Sequence, residues 1–257
     1  AYHRYLFDYN SIASTLCFRR TDKKHIDNIK KFINNDLEYY SKLYAKLKNS
    51  QDEFICYNRD INDFSGQNQN IMAACTMNDP QESLKIETIA KETDRLWVLF
   101  ILNNIYDSNE FQEISYRLND LLRGKDVSEY RSIYNQLITD CIKQKHNTIN
   151  DVPLSDYKSF LTKNYTNTNT RFLRYLFARI EHYLCQNTNL QMQNDVNYIS
   201  TRTGPKGGYH IEHILSHNDM NRGFFDTEEE FENDRNLLGG LLLLKGLDNI
   251  SSGNEIY

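Results

Sequence analysis

The stretch GGYHIEHILSHNDMNRG, residues 207–223, holds Glu212 together with His210, His213 and His217, three of the seven histidines in the chain. Imidazole and carboxylate side by side serve two kinds of chemistry, ligation of a divalent metal or proton transfer to and from a reacting group. A zinc-peptidase motif needs two histidines four apart on a helix with a glutamate between them, so that both rings reach one ion. Here His210 and His213 are three apart and their neighbours are β-formers, which argues against that reading. On a strand, successive side chains point to opposite faces. Ile211 and His213 then share one face, and His210 and Glu212 the other. A histidine fixed by packing beside Ile211, its tip free at the strand end, is held as a general base is held. Glu212 reaches a cation only if the strand ends there and the chain turns, and LSHNDMNRG supplies a turn. His217 reads as an exposed loop histidine.

The residues that follow extend the pattern. DTEEEFENDR, 226–235, offers Asp226 or Thr227 as an N-cap with acidic residues in the first turn, so a short helix is expected. In NLLGGLLLLKGLDNISSGNEIY the glycine-flanked run Leu241–Leu244 reads as a buried strand, and Asn249 falls in the first turn of a helix after it. Strand, long loop, strand and helix in that order resemble the ββα-metal (HNH) nuclease finger. More narrowly, YHIEHILSH and NLLGGLLLLKGLDNISSGN are similar to the C-terminal HNH domain of GmrSD-type, type IV modification-dependent restriction endonucleases and related Ssp-type phage-defence nucleases. Those domains carry a His-Ile-Glu-His-Ile-Leu-Pro block, then Leu-Gly-Asn-Leu-x-Leu-Leu, then two further asparagines. The helix RFLRYLFARIEHYL upstream also looks like the one preceding the block in that family.

The resemblance implies a DNA endonuclease in which His213 deprotonates the attacking water, Glu212 and Asn249 bind one Mg²⁺ or Mn²⁺, His210 supports the metal site and Asn254 braces the helix. Where the family has Leu-Gly-Asn, this chain has Leu238-Gly239-Gly240, so the amide expected to bond across the finger is absent; Ser216 stands in place of the usual proline. A finger disabled by Gly240, kept for DNA binding or assembly, is the competing reading. The resemblance also implies a bacterial anti-phage role and a preceding nucleotide-binding and sensor domain that these residues do not include.

The elements that must position these residues are mostly helical. Apolar residues recur at three and four over 23–48, 82–106, 109–123 and 128–145, the spacing of one helical face. TNTRFLRYLFARIEHYL, 168–184, follows an Asn/Thr-rich loop that supplies caps and puts Phe172, Leu173, Leu176, Ile180 and Leu184 on one stripe. After it NDVNYISTRTGPKGGYHIEHIL reads as strand, turn, strand. The expected fold is therefore mainly α, a helical domain over 1–190 followed by a small ββα-metal finger over 191–257 that is truncated at its C-terminus. The opening on Ala1 and the ending at Tyr257 read as part of a longer polypeptide.

Composition narrows the class further. A net charge of −5 gives no global reason to bind nucleic acid, so any DNA contact must be local. Lys143, Lys145, Lys158, Lys163, Arg171, Arg174 and Arg179 cluster in the middle of the chain and read as a solvated helix face, as Lys245 and Arg222 read as solvated charges. Trp97 and His182 read as structural. Five scattered cysteines without a C-x-x-C pair suggest neither a zinc ribbon nor a disulfide framework. No run is long and apolar enough for a membrane span, and the expected location is the cytoplasm.

Overall fold

A computed structural model describes residue 21 and residues 23–147 and 161–248. Asn249 and Asn254 therefore lie outside the described residues. The first long helical stretch runs as α1 (His25–Lys31), a π-helical segment (Phe32–Asp36) and α2 (Leu37–Lys48). Its apolar stripe is buried only at Leu43 and Leu47, while Ile26, Ile33 and Leu37 are exposed. Then come α3 (Glu53–Cys56) with a π-helical continuation (Tyr57–Ile61), α4 (Gln67–Ala74), α5 (Glu82–Leu102), α6 (Ser108–Leu122) and α7 (Val127–His146). Asp107 and Asp126 cap α6 and α7 through their side chains, and Glu129 completes a capping box.

The pivot of the fold is α8 (Thr170–Gln186), capped by Asn169. Phe172, Tyr175 and Ala178 face the core of the helical array, where Trp97 meets Phe172 and Tyr175 edge to face. Leu173 faces a second cluster with Ile211, Leu238 and Leu241. One helix thus carries the array on one side and the C-terminal hairpin on the other. The expected stripe on α8 holds only over its first half, since Ile180 and Leu184 are 43% and 51% exposed. The helix instead turns Arg179 inward to meet Asp94.

A second correction concerns the segment after α8. VNYIST forms a short helix, α9 (Val196–Thr201), rather than a strand. Asp195 accepts from the Tyr198 N–H as its cap, and Val196 and Ile199, three apart, are buried in the same cluster as the array. The cap and the burial of one helical face override the β propensity of Val, Tyr, Ile and Thr. Then follow β1 (Tyr209–His213), α10 (Asp219–Arg222), α11 (Glu228–Asn236), a 3-10 turn (Leu238–Gly240) and β2 (Leu241–Lys245). The two strands are antiparallel, with His213 opposite Leu241 and Glu212 opposite Leu242. Residues 246–248 are helical. The fold is mainly helical with one small two-stranded sheet near the C-terminus, and among the described residues no helix is long and apolar enough to cross a membrane.

The basic residues of the middle of the chain are a solvated face only in part: Lys145 and Arg171 are exposed, while others turn inward. Lys163 is 4% exposed, Arg179 is paired with buried Asp94, Arg171 bridges to Asp63, and Arg174 donates to the Ser200 carbonyl. Lys158 lies outside the described residues. Arg174 and Arg179, spaced for a helix surface, turn inward because the buried Ser200 carbonyl and Asp94 carboxylate offer them partners.

Candidate functional site

Tyr209, Ile211 and His213 share the inward face of β1, and His210 and Glu212 lie on the other, as the period of a strand requires. Tyr209 and Ile211 are buried, which fixes the strand, and His213 closes it half-buried. Two side-chain contacts hold the imidazole. Tyr165 packs edge to face on it at 4.9 Å between ring centres. Asn236, the last residue of α11, meets its Nε2 through Oδ1 at 2.9 Å. Leu241 stands opposite it on β2.

The Asn236 amide is itself oriented. Its Nδ2 donates to the Glu232 carbonyl at 2.6 Å and to Glu232 Oε2 at 3.2 Å, so Oδ1 must face the ring. An oxygen only accepts, hence Nε2 carries the proton and Nδ1 keeps the lone pair. The backbone carbonyl of Asn236 in turn accepts from the Tyr165 N–H at 2.8 Å, and Asn164 forms an isolated bridge with Leu237. The segment 164–165 therefore clamps both partners of His213. Burial lowers the His213 pKa below the ordinary histidine value; the Asn236 bond opposes this, Arg235 adds to it, and Glu212 and Glu232 oppose it. The ring is a neutral base at neutral pH.

The other expected residues are placed as follows. Glu212 is half-buried beside His213 but on the opposite strand face. His210 donates from Nε2 to the Gly204 carbonyl, 3.0 Å away, and so ties β1 to the turn before it. His217 is exposed, as expected, yet it has company: its Nε2 lies 3.0 Å from Glu232 Oε1, and Arg222 reaches both His217 and Glu228. Among the described residues, His217, Glu228 and Glu232 bring three ligand atoms within 4.8 Å of one another, close enough to hold a metal ion. The Arg222 guanidinium already supplies its positive charge.

Gly240 ends the 3-10 turn, and its carbonyl accepts from the Ile214 N–H at 2.8 Å. A Cβ there would lie 2.8 Å from the Arg235 carbonyl oxygen and 3.0 Å from that of Asp234. Both obstacles are backbone at the end of α11 and cannot swing aside. Placing the family's asparagine here, Gly240→Asn, is therefore expected to cost about 1–3 kcal/mol of stability, read as a lower denaturant midpoint. A midpoint unchanged from the parent would show that the turn yields without cost.

Sequence reasoning missed Asn236, Tyr165 and Glu232. Asn236 lies 23 residues from His213, and no periodicity joins them.

No curated protein and no solved structure matches the chain. Residues 155–257, the part that holds α8, the hairpin and His213, match the family model for GmrSD restriction endonucleases, C-terminal domain. By that match, the segment from residue 155 onward is similar to the C-terminal domains of the GmrSD restriction endonucleases.

Proposed function

We propose that this chain is the nuclease-bearing part of a metal-dependent DNA endonuclease in a bacterial anti-phage restriction system, acting in the cytoplasm through an HNH-type finger. The observation that supports it best is the posture of His213: a neutral ring, clamped by Tyr165 and Asn236, with its Nε2 proton committed and its Nδ1 lone pair available. Nδ1 takes the proton from the attacking water, and Asn236 steadies the imidazolium that results, since its oxygen bonds the protonated ring at least as well as the neutral one.

The donors fit a hard cation. Glu212 offers carboxylate oxygens next to the base, and Asn249, just beyond the helical residues 246–248, would offer an amide oxygen. Oxygen donors suit Mg²⁺ or Mn²⁺ better than zinc. A cation bound there supplies Lewis-acid charge for the scissile phosphate and the leaving oxygen. His210, on the same strand face as Glu212, would support that side, and Asn254 would brace the helix. The substrate is DNA, and a preceding nucleotide-binding and sensor domain is the expected partner.

Supercoiled plasmid incubated with the chain is expected to relax or linearise in Mg²⁺ or Mn²⁺ and to stay intact in chelator. A second reading keeps the finger and gives up turnover, and Gly240 in place of the family's asparagine favours it. DNA retarded on a gel but uncut in both metals would support that reading and overturn the enzyme.

A further inference from the structure

Lys163 is a buried cation without a counter-ion. It is 4% exposed and lines a cavity of about 450 Å³ on the helical side of the N-terminus of α8. Its Nζ donates to Asn104 Oδ1 at 2.5 Å, and no described carboxylate pairs with it. An ammonium has three donors, and a neutral amide answers one of them. Burying an unpaired charge is costly, so such a group either loses its proton or takes an anion. Burial does depress the Lys163 pKa, and nothing opposes it.

The rest of the wall agrees with an anion. Its one carboxylate, Asp63, is exposed and held by Arg171 at 2.9 Å, so it does not neutralise Lys163. Asn169 and Arg171, the cap and first turn of the 17-residue helix α8, face the cavity and bring the positive end of its dipole. Trp97 Nε1 and Asn62 Oδ1, both on the wall, are buried without partners, which favours a polar over an oily occupant. The volume lies in the range of small-molecule sites, with Trp97 and Tyr106 as aromatic walls. A duplex backbone cannot descend to a lysine so deeply covered, whereas a small anion can enter.

We infer that this cavity binds a small phosphate-bearing anion, with Lys163 as its buried counter-charge. The site is distinct from His213, and its occupancy does not depend on whether that histidine is catalytic. Its place is suggestive all the same: Lys163 lies two residues before Tyr165, the ring that leans on His213.

Thermal unfolding of the whole 257-residue chain in inorganic phosphate, against chloride at equal ionic strength, tests the inference. A saturable rise of about 2–4 °C is expected once phosphate exceeds its Kd about fivefold. Lys163→Met should lose the saturable part and keep only the non-specific rise that phosphate gives any folded protein. Should that variant fail to fold, acylation of Lys163 in the unaltered chain, followed by peptide mass, reads the same site; phosphate should slow it. No saturable rise in the unaltered chain, or an equal one in Lys163→Met, overturns the inference, as does acylation that phosphate leaves unchanged. Protection of Lys163 by a short DNA duplex but not by phosphate would also overturn it, and assign the lysine to DNA.

Discussion

His213→Ala is expected to lower the rate of plasmid cleavage by about 10²–10⁴-fold, the range over which a positioned general base acts, while the chain stays folded. The second half of that expectation comes from the packing. His213 is only half-buried, and the strand that carries it is anchored by Tyr209 and Ile211, both 8% exposed. Truncating the ring leaves the Asn236 oxygen without its partner, but Asn236 keeps its bonds to Glu232 and to Tyr165. The variant should therefore unfold at nearly the parent temperature and still retard DNA. Asn236→Ala is the informative companion. It spares the base and removes the group that fixes which ring nitrogen holds the proton, so its rate should fall less than that of His213→Ala. If His213→Ala cut as fast as the parent, the base would have to be sought elsewhere, and the clamp around this imidazole would be structural.

The parts that were legible in the sequence are those fixed by local pattern. Apolar spacing over 82–106, 109–123 and 128–145 marks α5, α6 and α7 because each buries one face, and a window of that length suffices to show it. Thr227 as a cap and Leu241–Leu244 as a strand were legible for the same reason. What was not legible depends on partners distant in the chain. VNYIST is helical because Val196 and Ile199 are buried in the core of the array, which nothing within six residues announces. The clamp on His213 joins residues 165, 213 and 236 through a ring contact and two hydrogen bonds, none with a spacing that a linear reading could test. Lys163 looked like one more surface charge in a basic region; only the closure of α5, α8 and their loops over it makes it a buried one. The pairing of Glu212 with Asn249 is a different case, since Asn249 lies outside the described residues and that part of the expected site rests on the resemblance of the motif.

The largest expected loss of stability lies at the joint between α5 and α8. Asp94, 3% exposed, accepts from the Tyr175 hydroxyl and from Arg179 at 2.6 Å. Burial disfavours the Arg179 charge, but the Asp94 carboxylate and Tyr175 more than offset it, and its pKa stands above the ordinary arginine value. The guanidinium also lies over the rings of Phe54 and Tyr57, at 4.9 and 5.1 Å from their centres. Asp94→Ala removes the carboxylate and leaves that cation enclosed without its counter-charge, a defect that costs about 3–5 kcal/mol. Denaturant unfolding would register it as a fall in midpoint. The physical cause is testable separately, because the penalty comes from the charge left behind rather than from the bond lost. Combining Asp94→Leu with Arg179→Met should therefore be less damaging than Asp94→Leu alone, a non-additivity expected of contacting groups. A double variant as unstable as the sum of its singles would mean that packing volume, not charge, is what the joint supplies. Because α8 also presents Leu173 to Ile211 and Leu241, unfolding of this joint removes the surface on which β1 and β2 rest. Loss of cleavage in Asp94→Ala should accordingly follow the unfolded fraction as temperature rises, and not appear in the folded chain in the cold.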